Sequence, residues 1–250
     1  MTAIPDHFSA QAEEYARSRP RYPAEMFVYL AGLVRKREIV WDVGCGNGQA
    51  SVALAAHFDR VIATDISDKQ LRHAIPHERV EYIQAPAEAS PLEDGTADLI
   101  VAAQSAHWFN HNAFYGEVRR VAAPGAVIAL ISYEMSNVTP EIDPLIYSLA
   151  NQILGTFWPR ERSYVDSGYA TLPFPFDDIE PEHFEMSVEW TAEQMLDYLL
   201  TWSATQRYIR YHGADPRNVI ADQMRDLWGK TRTVRWPLSM RLAYVDGRVR

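Results

Sequence analysis

The stretch Val40-Trp41-Asp42-Val43-Gly44-Cys45-Gly46-Asn47-Gly48 decides how this chain is read. Ile39 to Val43 is a short apolar run ending in glycines, as a buried parallel strand does. Gln49 to Phe58 has helical composition. The segment therefore predicts a strand, a tight turn and a helix. Glycine in such a turn permits positive φ and lets a ligand approach the backbone with no Cβ in the way. The helix start offers unpaired N–H groups and a positive dipole end to an anion. In open α/β sheets, ligands bind beyond the carboxyl ends of the strands.

The pattern repeats outward from this turn. Val61 to Thr64 reads as a second strand, and Ser67 as the N-cap of a helix over Asp68 to Ala74. Val80 to Gln84 and Ala97 to Ala103 read as the third and fourth strands. Asn112 can cap a helix running to Val121, and Pro124-Gly125 turns the chain into a fifth strand, Ala126 to Tyr133. Strands joined by helical crossovers predict a parallel sheet covered on both faces.

The second half changes character. Glu141 to Gly155 reads as a helix, and Phe184 to Trp190 alternates like a strand. Thr191 and Gln194 have the spacing of a capping box, which opens a helix to about Tyr211. Asp215-Pro216 opens another helix to about Trp228, and Trp236 to Val245 reads as a last strand. No linker composition sets this half apart. Its strands are expected to complete the same sheet, and its helices to lie over the sheet's carboxyl edge. The expected organisation is one domain, with an N-terminal cap over 1–24, a cofactor core over 25–135, and a lid with closing strands over 136–250.

The composition of the 250 residues, 47% hydrophobic and 23% charged, excludes a disordered or fibrous chain. A net charge of −9 makes nucleic acid and anionic lipid unfavourable general partners. No apolar run approaches the roughly 20 residues that span a bilayer. Asp6, Glu13, Glu14, Arg17 and Arg19 interrupt any signal-peptide core near the N-terminus. The single cysteine, Cys45, forbids an internal disulfide and suits a reducing cytoplasm. Beside the glycine turn it reads as a small filler. The expectation is a cytoplasmic monomer or homodimer acting on a small molecule, with no membrane or nucleic-acid partner.

The acids around the turn narrow the ligand. A dinucleotide fingerprint needs glycine or alanine three residues after its second glycine, and Gln49 stands there. Asp42 precedes the first glycine by two residues. A carboxylate there would repel a pyrophosphate but attract the ammonium of an amino acid. The methionine end of S-adenosylmethionine (SAM) carries an ammonium and a carboxylate. Asp42 is suited to the first, and the N–H groups of the turn to the second. Asp65 ends the second strand, where a carboxylate can accept both ribose hydroxyls. Ala87 and Glu88 follow the third strand and can frame adenine, with a backbone N–H for a ring nitrogen and an acid for the exocyclic amine.

These residues resemble the class I SAM-dependent methyltransferases. More narrowly, the chain is similar to a methyltransferase type 11-like small-molecule group, with trans-aconitate methyltransferases as distant relatives. The likeness spans nearly the whole chain. Its N-terminal element is Phe8-x-x-Gln11-Ala12-x-x-Tyr15-x-x-x-Arg19-Pro20-x-Tyr22-Pro23. Trp41 to Ala50, Ala63-Thr64-Asp65-Ile66-Ser67, Gln104-Ser105-Ala106-His107-Trp108-Phe109 and Thr201-Trp202-Ser203-Ala204 follow. The resemblance implies an α/β fold with a Rossmann-like, seven-stranded, mostly parallel sheet that ends in an antiparallel hairpin, with helices on both faces and a helical lid. It implies that Asp42, Gly44, Gly46 and Gly48 hold the methionine end. Asp65 and Ile66 would lie at ribose, and Ala87 and Glu88 at adenine. Tyr15, Arg19 and Gln104 would complete the cofactor site.

Methyl transfer from a sulfonium is an in-line displacement that needs alignment and exclusion of water more than any metal. A base is needed only if the acceptor carries a proton at neutral pH. His107, after the fourth strand, is the candidate catalytic residue: it can act as a base or orient the acceptor, though packing beside Trp108 is an equally simple explanation. His107 and His111 have helical spacing, but no third ligand stands near them for a metal. Tyr22, Trp108, Trp202 and Arg207 are the candidate substrate-binding residues. For Trp202 the plainer role is helix packing, and for Arg207 an exposed helical position. The expected activity is methyl transfer to a small molecule, with oxygen of a carboxylate or hydroxyl as acceptor. The alternatives are a nicotinamide-dependent oxidoreductase and a SAM-binding protein without turnover.

Overall fold

The computed structural model of the protein describes residues 19–247. It opens with α1 (Ala24–Leu33), whose residues Met26, Phe27, Leu30 and Ala31 form one buried face. Then come β1 (Ile39–Val43), α2 (Gln49–Leu54), β2 (Arg60–Asp65), α3 (Asp68–Arg72), β3 (Val80–Gln84) and β4 (Ala97–Ala103). A 3₁₀ turn over Ala106–Trp108 leads to α4 (His111–Val121) and β5 (Ala122–Tyr133). The second half adds α5 (Asp143–Tyr147), α6 (Arg162–Asp166), β6 (Phe184–Trp190), α7 (Ala192–Leu200), α8 (Ser203–His212), α9 (Ala221–Trp228) and β7 (Arg232–Tyr244).

The seven strands form one sheet in the order β3-β2-β1-β4-β5-β7-β6. The ladders among β1 to β5 are parallel. β7 runs antiparallel to both β5 and β6, so the late strands close the sheet as the resemblance implied. Alternation along β5 shows how the layers are built. Val127, Ala129 and Ile131 join α1 and α2 on one face, while Ala126, Ile128 and Leu130 join α4 on the other. A third cluster packs the late helices on the antiparallel β6–β7 pair through Trp190, Tyr198, Trp228 and Trp236. No described helix is long and apolar enough to cross a membrane.

Several local expectations change. Asn110, two residues before Asn112, caps α4 by accepting a hydrogen bond from Ala113 N. The expected helix over Glu141 to Gly155 is three short pieces. Pro144 opens α5, a π-helical turn follows over Ser148–Ile153, and a 3₁₀ turn covers Gly155–Phe157. The capping box at Thr191 forms as expected. The helix it opens breaks at Thr201-Trp202, because side chains take over its last carbonyls. Thr201 Oγ1 donates to Tyr198 O, Thr205 Oγ1 to Leu199 O and Gln206 Nε2 to Leu200 O. Asp215-Pro216 opens a 3₁₀ turn, and α9 follows separately. β7 begins earlier than expected and includes Pro237, which pairs with Glu185 of β6 beyond the last β5 pair at Leu238. Proline is tolerated where only one neighbour needs the ladder.

Phe114 is the knob of α4 on the sheet, fully buried between Trp41 and Phe109. Replacing it with alanine should cost about 3–5 kcal/mol, from lost burial and the cavity left behind. Urea unfolding monitored by circular dichroism would measure this, and a loss well under 1 kcal/mol would contradict the packing described.

Candidate active site

The strand order reverses direction between β1 and β4, and a cavity of about 560 Å³ opens there at the carboxyl ends of the strands. Its walls come from the turn after β1, the end of β2, the segment after β3 and the end of β4. They include Asp42, Gly44, Gly46, Asp65, Ile66, Ala87, Glu88 and Gln104. Arg19 and Tyr22 close it from the N-terminal side. Most of the candidate cofactor residues are thus in one place. Gly48 is not at the wall, and stands behind the turn against Tyr82. Tyr15 lies outside the described residues.

The turn is as tight as its glycines require. Gly44 has φ +68°, and a Cβ there would stand 2.6 Å from Ser105 Cβ. Ser105 is fastened in turn by its hydroxyl, which donates to Val43 O at 2.8 Å. Gly46, at φ +56°, differs, because no atom lies within 4 Å of where its Cβ would be. Its bareness keeps backbone open to the cavity rather than avoiding a protein neighbour.

One expectation for this turn is narrowed. Four of its N–H groups are taken within the protein, so few stand ready for a carboxylate. Gly44 N and Cys45 N both donate to Thr64 O, Gly46 N donates to Asp65 Oδ2, and Gly48 N donates to Cys45 O. Besides Lys69, the positive group at the wall is the Arg19 guanidinium. It donates to the Tyr133 hydroxyl and lies 5.1 Å from the centre of the Tyr198 ring.

Asp42 is fully buried. Its Oδ2 accepts a 2.5 Å hydrogen bond from Ser51 Oγ, and its Oδ1 has no partner among the described residues. Burial, opposed by the Ser51 hydrogen bonds and reinforced by the charge of Asp65, pushes the carboxyl up to about 7. A buried, unsatisfied carboxylate oxygen at a cavity wall fits a cationic ligand group. Asp65 Oδ2 holds Gly46 N and its Oδ1 holds Ser67 N, both at 2.8 Å. Each carboxylate oxygen can accept a second hydrogen bond. Ile66 is 53% exposed beside it, an apolar face turned to the opening. Glu88 Oε1 accepts from Asn110 N, which ties the adenine-side segment to the start of α4. Burial and the charges of Asp42 and Asp65 push the Cys45 thiol up, so it is held protonated, in keeping with a filler.

Gln104 carries an unusual backbone for a non-glycine residue, with φ +56°. Its side-chain amide pairs with Tyr133, accepting from Tyr133 N at 2.9 Å and donating to Tyr133 O at 3.4 Å. This locks the ends of β4 and β5 together beside the cavity. Strain of this kind gathers at functional sites.

A second cavity of about 80 Å³ adjoins the first and shares Arg19, Gln104, Trp108 and Tyr133 with it. Its remaining wall includes His107, Glu134, Trp158, Arg162, Tyr198 and Trp202. His107 and Trp202 therefore belong to the smaller cavity, Tyr22 to the larger, and Trp108 to both. Arg207 lines neither, and donates to Phe157 O at 3.3 Å. Trp202 is buried against Trp158 and Tyr198, so it both packs the break between α7 and α8 and walls the cavity. His111 does not join His107 as a ligand pair, because its Nε2 lies 3.1 Å from Ala106 O. Arg162, Trp158, Tyr133 and Glu134 had no motif to mark them. A tryptophan beside prolines in an irregular stretch was the only hint.

Comparison with known proteins bears on the same site. Residues 41–130, which hold the turn and the first five strands almost to the end, match the family model described as a methyltransferase domain. A solved structure from Anaeromyxobacter dehalogenans, provisionally named a type II methyltransferase, is 43% identical. It superposes with a TM-score of 0.85 over 91% of this chain and 98% of its own. A provisionally named methyltransferase of Dictyostelium discoideum is 29% identical over 218 residues, 86% of this chain and 83% of that protein. An uncharacterized methyltransferase of Mycobacterium tuberculosis is 29% identical over 223 residues, 88% of this chain and 84% of that protein. With likeness of this extent carried by a cavity suited to an amino-acid nucleoside, the chain belongs to the class I SAM-dependent methyltransferases, and SAM is its cofactor.

Proposed function

We propose that this enzyme transfers the methyl group of SAM to a small molecule held in the second cavity, with oxygen of a carboxylate or hydroxyl as acceptor. The observation that carries this reading is the small aromatic chamber beside the cofactor cavity, with Arg19, Gln104, Trp108 and Tyr133 as its shared wall. A chamber of about 80 Å³ suits a compact acceptor or the reactive end of one. Arg19 and Arg162, against the one carboxylate of Glu134, lend it net positive charge, which favours an oxygen, and a carboxylate before a hydroxyl. The acidic chain, net −9, supports a small-molecule partner over nucleic acid. A single cysteine supports a cytoplasmic setting. We read the chain as one domain, a monomer or homodimer, with a cap over 1–24, a core over 25–135 and a lid with closing strands over 136–250.

In this reading each wall residue has a task. When bound, SAM supplies a methyl group on a positively charged sulfur, so the reaction needs orientation and dryness. Asp42 Oδ1 holds the ammonium, and Gly46 admits the methionine end close to the backbone. Arg19 takes the carboxylate, since most N–H groups of the turn are already taken. Asp65 accepts the ribose hydroxyls. Ile66 and Ala87 flank adenine, and the second oxygen of Glu88 accepts from its exocyclic amine. Gln104 and Trp108 stand between donor and acceptor. Tyr22 and the tryptophans exclude water, and orientation of this kind can lower a barrier by on the order of several kcal/mol.

The pH dependence follows from Asp42. Its carboxyl is raised from the ordinary 3.8 to about 7. Its contribution to folding is therefore full below the ordinary value and is lost as pH rises through about 7. Ammonium binding has the opposite requirement, since it needs the ionised form. SAM affinity measured by calorimetry should rise roughly tenfold between about pH 6 and pH 8, with proton release on binding. Asp42→Asn should flatten that rise, and a wild-type affinity that falls over this range would contradict the assignment.

Asp65→Ala should weaken SAM binding about tenfold or more, through two lost hydrogen bonds to a charged acceptor. Unchanged affinity would remove Asp65 from the ribose. SAM and S-adenosylhomocysteine should raise the melting temperature where NAD does not. Labelled-methyl transfer across a panel of small carboxylic acids, phenols and alcohols tests the acceptor class. Product confined to amines would overturn the oxygen assignment.

A further inference from the structure

His107 sits in the smaller cavity with one ring nitrogen already committed. Nδ1 lies 2.9 Å from the Tyr169 hydroxyl, and both side chains are buried there. Tyr169 comes from the segment after α6, 62 residues along the chain, and it too has positive φ, at +64°. Its carbonyl is pinned by Arg241 Nη1 at 3.1 Å and its N–H donates to Tyr164 O, so the strained backbone is held on both sides. The phenol therefore arrives at His107 from a fixed position.

The proton count in this pair has one good solution. The phenol hydrogen needs an acceptor, and His107 Nδ1 is the only one in reach among the described residues. If Nδ1 carried a hydrogen, the phenol would be a buried donor with nothing to donate to, an arrangement folded proteins avoid. Nδ1 therefore accepts, and in a neutral imidazole the hydrogen is then on Nε2. Nε2 has no partner among the described residues, and it is not among the buried polar atoms sealed from open space. Since the ring lines the smaller cavity, that space is the cavity.

We infer that Tyr169 is a positioning residue that holds His107 as the Nε2–H tautomer, so that His107 donates a hydrogen bond into the acceptor cavity instead of removing a proton there. The inference rests on the reading of the smaller cavity as the acceptor site. It also narrows the acceptor, which must present a lone pair to His107, as a carbonyl or carboxylate oxygen does. A nucleophile must then arrive already deprotonated or lose its proton elsewhere. The surroundings agree. Burial, with the positive charge of Arg162 and the neighbouring His111, pushes His107 down to about 3, which keeps the ring neutral. Arg162 is also held, by Asp166 at 2.6 Å and by stacking 4.5 Å from the Trp158 ring.

Long-range ¹H–¹⁵N correlation on the full chain, labelled at histidine and saturated with S-adenosylhomocysteine, reads the tautomer directly. The His107 signals are those missing from the His107→Gln variant. They should show a single neutral Nε2–H form, unchanged between about pH 6 and pH 8. Tyr169→Phe should move the Nδ1 signal toward that of an unbonded imidazole nitrogen and yield a mixture of tautomers. An Nδ1–H form or an imidazolium in the wild type would overturn the inference, whether or not the variant folds. A folded Tyr169→Phe with unchanged signals would remove Tyr169 from the role. Calorimetry with S-adenosylhomocysteine on the same sample keeps the outcomes apart, because failed binding would sink the cofactor assignments and leave the tautomer result standing.

Discussion

Asp42 keeps a carboxylate out of water at the carboxyl end of β1, with Ser51 on one oxygen and none of the described residues on the other. Burying such a group is costly, and a single hydroxyl offsets only part of the cost. The neighbouring structure is arranged around it. β1 brings it between two covered faces of the sheet, and the turn after it is drawn back onto β2 through Thr64 O and Asp65. That pull makes the turn narrow enough for Gly44 to touch Ser105 and leaves Gly46 bare toward the cavity. In the proposed reading, a cationic group in the cavity would relieve the carboxylate, so a local defect is also a claim on the cofactor.

The same pull takes up the N–H groups of Gly44, Cys45, Gly46 and Gly48. In the proposed reading the carboxylate partner therefore comes from another element. Arg19 is at the right wall, positioned by Tyr133 and Tyr198. Tyr133 belongs to β5, and Tyr198 to the late helix α7. The site is therefore built jointly by the sheet and the helices laid over its edge. The breaks in the late helices serve this construction. A continuous helix through Thr201-Trp202 would carry Trp202 on with its own periodicity, whereas the break lets it turn onto Trp158 and close the smaller cavity.

Much of the cofactor side was legible in sequence. Strand, turn and acid recur at short spacing, and local spacing is what a sequence preserves. Asp42, Gly44, Gly46, Asp65, Ile66, Ala87, Glu88 and Gln104 were all picked out, and all stand at one cavity. The misreadings were local competitions. Asn110 rather than Asn112 caps α4, and side-chain hydroxyls and an amide end α7 early. Arg207 had the composition of a lid residue but lies away from both cavities. The acceptor side was almost silent. Arg162, Trp158, Tyr133, Glu134 and Tyr169 share no spacing, because they meet only through the packing of the third hydrophobic cluster and the loop after α6.

The sequence by itself determined the α/β class, the glycine turn, the acids that end the strands and the family to which they point, because each depends on residues a few positions apart. Only the tertiary structure decided which turn groups were already spent, where Arg19 comes to rest, and that His107 meets a phenol 62 residues away. Those facts concern hydrogen-bond partners, and a donor or acceptor is committed only once the chain has folded and brought its partner within reach.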